Sequence, residues 1–86
     1  MPDDAPSSLY LIYLRSPRHS LRVSEFAGMR QLDEGLYVLR SDQSRSKVYH
    51  AIKRAAQPAG LLVAPLADDP KFMGMAPGAL AWLRGA

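Results

Sequence analysis

The sequence predicts a small α+β domain, on two observations. The first is the stretch from Gly35 to Leu66, where an apolar run, an amphipathic helical pattern and a second apolar run follow one another. A strand, a helix and a strand in so short a space indicate a crossover between strands of one sheet, with a right-handed connection expected. The second is the length, because 86 residues make a single domain that buries only roughly 60–65% of its unfolded surface.

The composition is that of a globular protein, and it excludes several kinds of site. Hydrophobic residues make up 48% of the chain and charged residues 22%, which separates it from disordered sequences. The chain has no cysteine, so disulfides, thiolate metal sites and cysteine nucleophiles are excluded. The first six residues are acidic and proline-containing, unlike a signal peptide, and no apolar run approaches the ~20 residues of a membrane span. We therefore expect a cytoplasmic protein with no membrane partner.

The first part of the chain is predicted to contain a tail, a strand and a short helix. Residues 1–8 include two prolines and two serines and form a flexible tail, which leaves 9–86 as the single domain. Leu9 to Arg15 is apolar on both faces, as in a central strand that is covered on both sides. Pro17 to Ala27 is predicted as a helix, because Ser16 can cap it and proline is favourable at the first helical position.

A hairpin and the central helix follow. The Asp-Glu-Gly sequence at 33–35 predicts a turn between a short strand at 29–32 and a strand at 36–41. Ser41 or Ser44 can cap the next helix, which runs to Gln57 and is ended by the proline and glycine that follow. Its core-facing stripe has the helical spacing i, i+3, i+4, i+7, i+8 and consists of Val48, Ala51, Ile52, Ala55 and Ala56.

The last part of the chain is predicted to complete the core. A strand at 61–66 follows the central helix, Phe72 and Met75 fold back onto the core, and Pro77 to Leu83 forms a last helix. Three strands with two apolar faces each, and only two or three short helices, leave one sheet face that the C-terminal segment or a second copy must cover. We expect a homodimer that buries this open face.

The order strand, helix, strand, strand, helix, strand is the ferredoxin-like arrangement, here βαββαβ with a shortened first helix and a C-terminal helix. An ordered series of short motifs between residues 9 and 83 resembles a family of short bacterial proteins labelled SinR-like. These motifs are Tyr10-Leu11-Ile12, Leu32-Asp33, Ala51-Ile52-Lys53, Leu61-Leu62-Val63, Phe72 with Gly74, and Trp82-Leu83. The SinR-like proteins are similar to the small CRISPR spacer-acquisition subunit and to VapD-like ribonuclease toxins.

The resemblance implies a ferredoxin-like dimer with a link to nucleic acid, but the chain departs from the pattern in two places. Nuclease members of the wider group carry an aspartate at the end of the first strand, where paired copies can hold a divalent metal. Here that end is Tyr13-Leu14-Arg15, with no carboxylate, so the oxygen ligands of a hard cation are missing. The first helix is also shorter than in the family.

The basic residues are concentrated in the middle of the chain. The formal charge is +3, but residues 15–54 hold nine of the eleven basic side chains against four acidic ones, a local charge of +5. Such a field favours RNA or DNA, although a solvated surface gives the same pattern. Tyr10, Tyr13 and Tyr37 could stack bases on an open sheet, or pack in a core. The residues predicted to bind nucleic acid are Arg15, Arg18, Arg22, Arg45, Lys47, His50, Lys53 and Arg54.

Signals for catalysis are weak. Asp68 and Asp69 form a carboxylate pair that could hold Mg²⁺, but a turn before Pro70 is the favoured interpretation. His50 could share acid–base catalysis with His19, or be a solvated helix residue. The chain has no phosphate loop and no Rossmann glycine pattern, so we expect no cofactor and no metal.

The sequence therefore favours a small non-enzymatic homodimer that binds nucleic acid or a nucleoprotein complex. The first alternative is a small ribonuclease of the VapD-like or CRISPR-associated kind, working with His50 or with Asp68 and Asp69. The second is a protein-interaction or inhibitor module that binds a protein partner through an exposed sheet edge or through Met73 and Met75.

Overall fold

The structure, a computed structural model, describes residues 7–83 as an α+β fold. Of the predicted tail, residues 1–6 lie outside the described part, whereas Ser8 belongs to the first strand and pairs with Ser41. The elements in chain order are β1 (Ser8–Pro17), a 3₁₀ turn (Val23–Glu25), β2 (Met29–Asp33), β3 (Leu36–Ser41), α1 (Arg45–Ala56), β4 (Pro58–Leu66) and α2 (Ala79–Leu83).

The four strands form one antiparallel sheet in the order β2-β3-β1-β4. β1 lies in the middle, and its central residue Ile12 stands opposite Tyr37 of β3 and Val63 of β4. Both neighbours run antiparallel to β1, so β3 and β4 are parallel to each other. α1 joins them across β1, which is the crossover that the sequence predicts between Gly35 and Leu66.

The predicted helix from Pro17 to Ala27 is wrong. β1 continues through this start, so that Pro17 pairs with Pro58, and only the single 3₁₀ turn remains. Ser16, the predicted cap, has a φ of 50°, far from the extended conformation of a capping residue. The physical reason is the poor apolar stripe of this segment, since a short helix forms only when it can bury a continuous apolar face.

The face of the sheet under α1 carries the first of two hydrophobic cores. Ile12 and Ile52 are fully buried at its centre, where the stripe of α1 meets β1. Leu21 reaches this core from the segment that replaces the predicted helix. The other buried members are Tyr10, Leu14, Met29, Tyr37, Leu39, Val48 and Ala56.

The opposite face is partly covered by the C-terminal segment, residues 72–83. Its side chains pack on Leu9, Leu32 and Val38, and they include Phe72 and Met75, as the sequence predicts. The last helix is shorter than predicted and begins at Ala79. Of the two covers expected for this face, the structure therefore supplies the C-terminal one.

Candidate nucleic-acid interface

The site is built on α1, whose ends are fixed by local interactions. The Ser44 hydroxyl accepts a hydrogen bond from the Lys47 backbone N–H at 3.2 Å, so Ser44 is the cap. Ser41, the other predicted cap, instead accepts a hydrogen bond from the Gln43 N–H in the preceding turn. The helix ends where Gln57 takes the left-handed conformation, with φ 46° and ψ 57°.

The exposed face of α1 is basic and has no acidic residue. Val48, Ile52 and Ala56 face the core, so the residues half a turn away from them point to solvent. Lys47, His50, Lys53 and Arg54 occupy that side and are all exposed. Since α1 contains no aspartate or glutamate, nothing on the helix neutralises these side chains. We call these four residues the basic face.

The segment after β1 extends the basic face at the C-terminal end of α1. The backbone N–H groups of Arg18 and His19 donate to the Ala56 carbonyl at 2.9 and 3.1 Å. These bonds satisfy a carbonyl that has no partner within the helix. The exposed side chains of Arg18 and His19 therefore stand beside the last turn of α1, which carries Lys53 and Arg54.

Three predicted contact residues lie apart from the basic face. Leu14 belongs to the core under α1, so the next residue of the strand, Arg15, points to the opposite face of the sheet. There its guanidinium lies against Gly60. Arg45 precedes Lys47 by two residues and so faces a different side of the helix. Arg22 is exposed next to the 3₁₀ turn.

Two arginines that were not predicted as site residues have structural partners. The Arg30 guanidinium donates to the Pro77 carbonyl at 3.0 Å, and that of Arg40 donates to the Leu83 carbonyl at 3.2 Å. Both bonds attach the C-terminal segment to the sheet on the side away from α1. The sequence gives no local signal for them, because the partners are 47 and 43 residues apart.

The structure does not bring the catalytic candidates together. His50 lies in the middle of α1 with its ring edge-on to Tyr49, at 5.2 Å between centroids, whereas His19 stands at the end of the helix. The Asp68 carboxylate accepts a hydrogen bond from the Asp69 N–H at 2.8 Å, as in the predicted turn. Among residues 7–83, no three histidine or carboxylate side chains are grouped so that they could hold a metal ion.

Only one of the three strand tyrosines is available to a ligand. Tyr10 is buried and donates its hydroxyl hydrogen to the Gln43 carbonyl at 2.8 Å. Tyr37 is buried as well, and this burial raises the pKa of its phenol above the usual value. Tyr13 is 43% exposed, but it lies on the sheet face away from α1. Base stacking on a row of strand tyrosines is therefore not available.

A groove beside the basic face is a feature that the sequence did not reveal. It has a volume of about 590 Å³ and runs between α1 and the loop before β2. Phe26, Leu39 and Val48 form its apolar lining, while Lys47 and Asp42 stand at its polar side. Phe26 and Ala27, which line it, belong to the segment that the sequence predicts as a helix, so the wrong helix prediction concealed it.

No protein-family model, no curated protein and no solved structure matches the chain. Across residues 7–83, neither helix has the length or the apolar composition needed to span a membrane. Inference about function therefore rests on the geometry around α1.

Proposed function

We propose that this protein is a small non-enzymatic homodimer that binds nucleic acid through α1 in the cytoplasm. The basic face carries the proposal: Lys47, His50, Lys53 and Arg54 share one exposed side of a helix that has no acidic residue. Lysine and arginine in such a row can follow the phosphates of a nucleic-acid strand, and each contact releases counterions.

A ferredoxin-like architecture is part of the proposal. The strand order β2-β3-β1-β4 supports it, because each of the two crossover connections then joins strands that are separated by one antiparallel strand. The connection from β1 to β2 has only a 3₁₀ turn where the arrangement has its first helix. The resemblance to SinR-like proteins points to the same architecture.

The groove next to Lys47 favours a single strand over a duplex. Its apolar lining, with the half-buried ring of Phe26, offers a surface to an unstacked base, while Lys47 and the rest of the basic face hold the adjacent phosphates. A duplex keeps its bases stacked inside and can use only the phosphate contacts. We therefore expect single-stranded RNA or DNA to bind more tightly than duplex at equal salt.

Binding to labelled single-stranded RNA, duplex RNA and duplex DNA over a salt series tests the proposal. If each protomer contacts about three phosphates of a single strand, the slope of log K against log salt is about −2 per protomer. The variant Lys47→Glu/Arg54→Glu should abolish binding. Arg15→Glu/Lys71→Glu, on other surfaces, is its control, because each pair changes the formal charge from +3 to −1 by reversing two charges.

Each outcome bears on a different function. Equal loss of affinity in the two variants would show that total charge, not α1, governs binding. Cleavage of the labelled strand in Mg²⁺ or in EDTA would favour a ribonuclease, and His50→Ala would then test the only ionisable imidazole on α1. An absence of binding at low salt would leave a protein-interaction module, for which the 88% exposed Met73 is a contact candidate.

A further inference from the structure

The two edges of the sheet differ in what pairs with them. At the β2 edge, the Leu32 carbonyl accepts a hydrogen bond from the Ala76 N–H at 2.8 Å, and Arg30 holds Pro77 beside it. The C-terminal segment thus occupies this edge. At the β4 edge, no strand within residues 7–83 pairs with the outer side.

Apart from its two prolines, β4 also lacks the features that keep edge strands from pairing. Its nine residues, Pro-Ala-Gly-Leu-Leu-Val-Ala-Pro-Leu, contain no charged side chain, and its register with β1 is regular from Gly60 to Leu66. Exposed edges normally carry lysine, a bulge or proline, since an open, regular and apolar edge templates another strand. The prolines of β4 stand near its two ends, at 58 and 65.

The ladder determines which backbone groups of β4 are free. The Leu14 N–H donates to the Gly35 carbonyl at 2.7 Å, so the backbone groups of Leu14 point toward β3. The direction of the backbone groups alternates from residue to residue along a strand. The N–H and C=O groups of Tyr13 therefore point toward β4 and bond with those of its partner Leu62. The residues of β4 between such bonded positions direct their N–H and C=O groups outward. They are Ala59, Leu61 and Val63.

One register uses all of these groups and avoids both prolines. If two β4 strands pair antiparallel around Leu61, then Leu61 faces itself, and Ala59 of each copy faces Val63 of the other. These three bonded pairs make six hydrogen bonds. Pro65, whose position points outward but has no N–H, then falls beyond the paired residues. Leu62, 50% exposed in the single chain, lies opposite Gly60, over which the Arg15 guanidinium packs, so Leu62 of one copy meets the Arg15 side chain of the other.

We propose that two copies of this chain pair along β4, with Leu61 on a two-fold axis, to form a continuous eight-stranded antiparallel sheet. This inference rests on the homodimer of the proposed function and names its interface. The self-complementary register selects a second copy over a foreign strand. The two-fold axis is perpendicular to the sheet, so both α1 helices lie on the same side of the eight-stranded sheet. One ligand can therefore contact the basic faces of both helices.

The first test measures the molar mass of the protein by light scattering. The protein concentration is varied from about 10 μM to about 1 mM, a range in which weak dimers also form. The wild type should approach about 19 kDa, twice the 9.5 kDa of the chain. Ala59→Pro removes an outward N–H on each side of the axis and should raise the dimer dissociation constant about tenfold or more. Ala67→Pro, just beyond β4, is the matched control and should dimerise normally. Circular dichroism checks that both variants fold.

The second test is disulfide cross-linking, which does not depend on disrupting the edge. The chain has no cysteine, so a single introduced one reports its own position. Leu61→Cys should cross-link on mild oxidation, since facing residues of a bonded pair are about 5.5 Å apart and disulfides span about 4.4–6.8 Å. Ala59→Cys alone should not, because the two copies of residue 59 are more than about 13 Å apart in this register. A mixture of Ala59→Cys and Val63→Cys proteins should cross-link.

A monomer mass at the highest protein concentration would overturn the proposed pairing along β4. So would a dimer that Ala59→Pro leaves unchanged, or efficient cross-linking of Ala59→Cys by itself. A dimer broken by Tyr13→Asp but not by Ala59→Pro would move the interface to the sheet face. These results are independent of nucleic-acid binding, which is measured on Lys47→Glu/Arg54→Glu. A monomer that binds RNA refutes only the edge pairing, whereas a β4-paired dimer without affinity refutes only the nucleic-acid function.

Discussion

Gly35 ends the turn between β2 and β3 at a point where no side chain fits. Its φ is +73°, and a Cβ there would lie 2.6 Å from the Leu14 carbonyl oxygen. Gly74 has nearly the same φ, +74°, but nothing within 4 Å of the equivalent position. The two glycines therefore separate the effect of backbone conformation from the effect of crowding.

Gly35→Ala should lower the free energy of unfolding by about 2–4 kcal/mol, because it combines a left-handed conformation with a collision against β1. Gly74→Ala carries the conformational cost alone, about 1 kcal/mol. Urea unfolding of both variants measures the difference. If the two losses are equal, β1 does not constrain this turn.

At the residue scale, the sequence predicted what depends on near neighbours. The turn at 33–35 and the turn at Asp68-Asp69 before Pro70 are local, and the structure has a turn or bend at both places. The roles of Tyr10 and Arg40 depend on carbonyls 33 and 43 residues away, which no local pattern identifies. Helical spacing is also a local property, and it places Lys47, His50 and Arg54 on one exposed side of α1, whereas Arg45, predicted with them, faces a different side.

Among the elements, α1 gives the clearest test of local stabilisation. Its start depends on the Ser44 hydroxyl, which binds the Lys47 N–H. Ser44→Ala should cost about 1 kcal/mol of unfolding free energy. Ser46→Ala, at an exposed position of the first turn, should cost nothing or stabilise slightly, since alanine has the highest helix propensity. Thermal unfolding of the two single variants compares them directly, and a larger loss at Ser46 would rule out Ser44 as the cap.

The elements that the sequence predicted well have one dominant signal each. β3 and β4 are apolar runs bounded by turn residues, and α1 has a continuous stripe with a cap. The segment 17–27 has conflicting signals, since Ser16 and Pro17 suggest a helix start while its apolar residues alternate as in a strand. Tertiary contacts decide the outcome there: Leu21 enters the core, and Arg18 and His19 bond to the end of α1.

Considered as a whole, the molecule divides its basic residues between two sides of one sheet. The basic face of α1 lies on one side, and on the other Arg30 and Arg40 hold the C-terminal segment over the second core. Formal charge alone cannot distinguish these two populations. Their separation follows from the alternation of side chains along β2 and β3 and from the single helix that covers the first face.

Two double variants of equal charge, each lowering the formal charge from +3 to +1, should therefore behave in opposite ways. Arg30→Ala/Arg40→Ala should lose about 1–2 kcal/mol of unfolding free energy, since two partly exposed bonds to carbonyls are removed, and should keep its affinity for single-stranded RNA. Lys47→Ala/Arg54→Ala should unfold within about 0.5 kcal/mol of wild type but bind about tenfold more weakly. Urea unfolding and RNA titration on the same preparations measure both quantities. Equal loss of affinity in the two variants would mean that net charge attracts the ligand and that α1 has no special place in binding it.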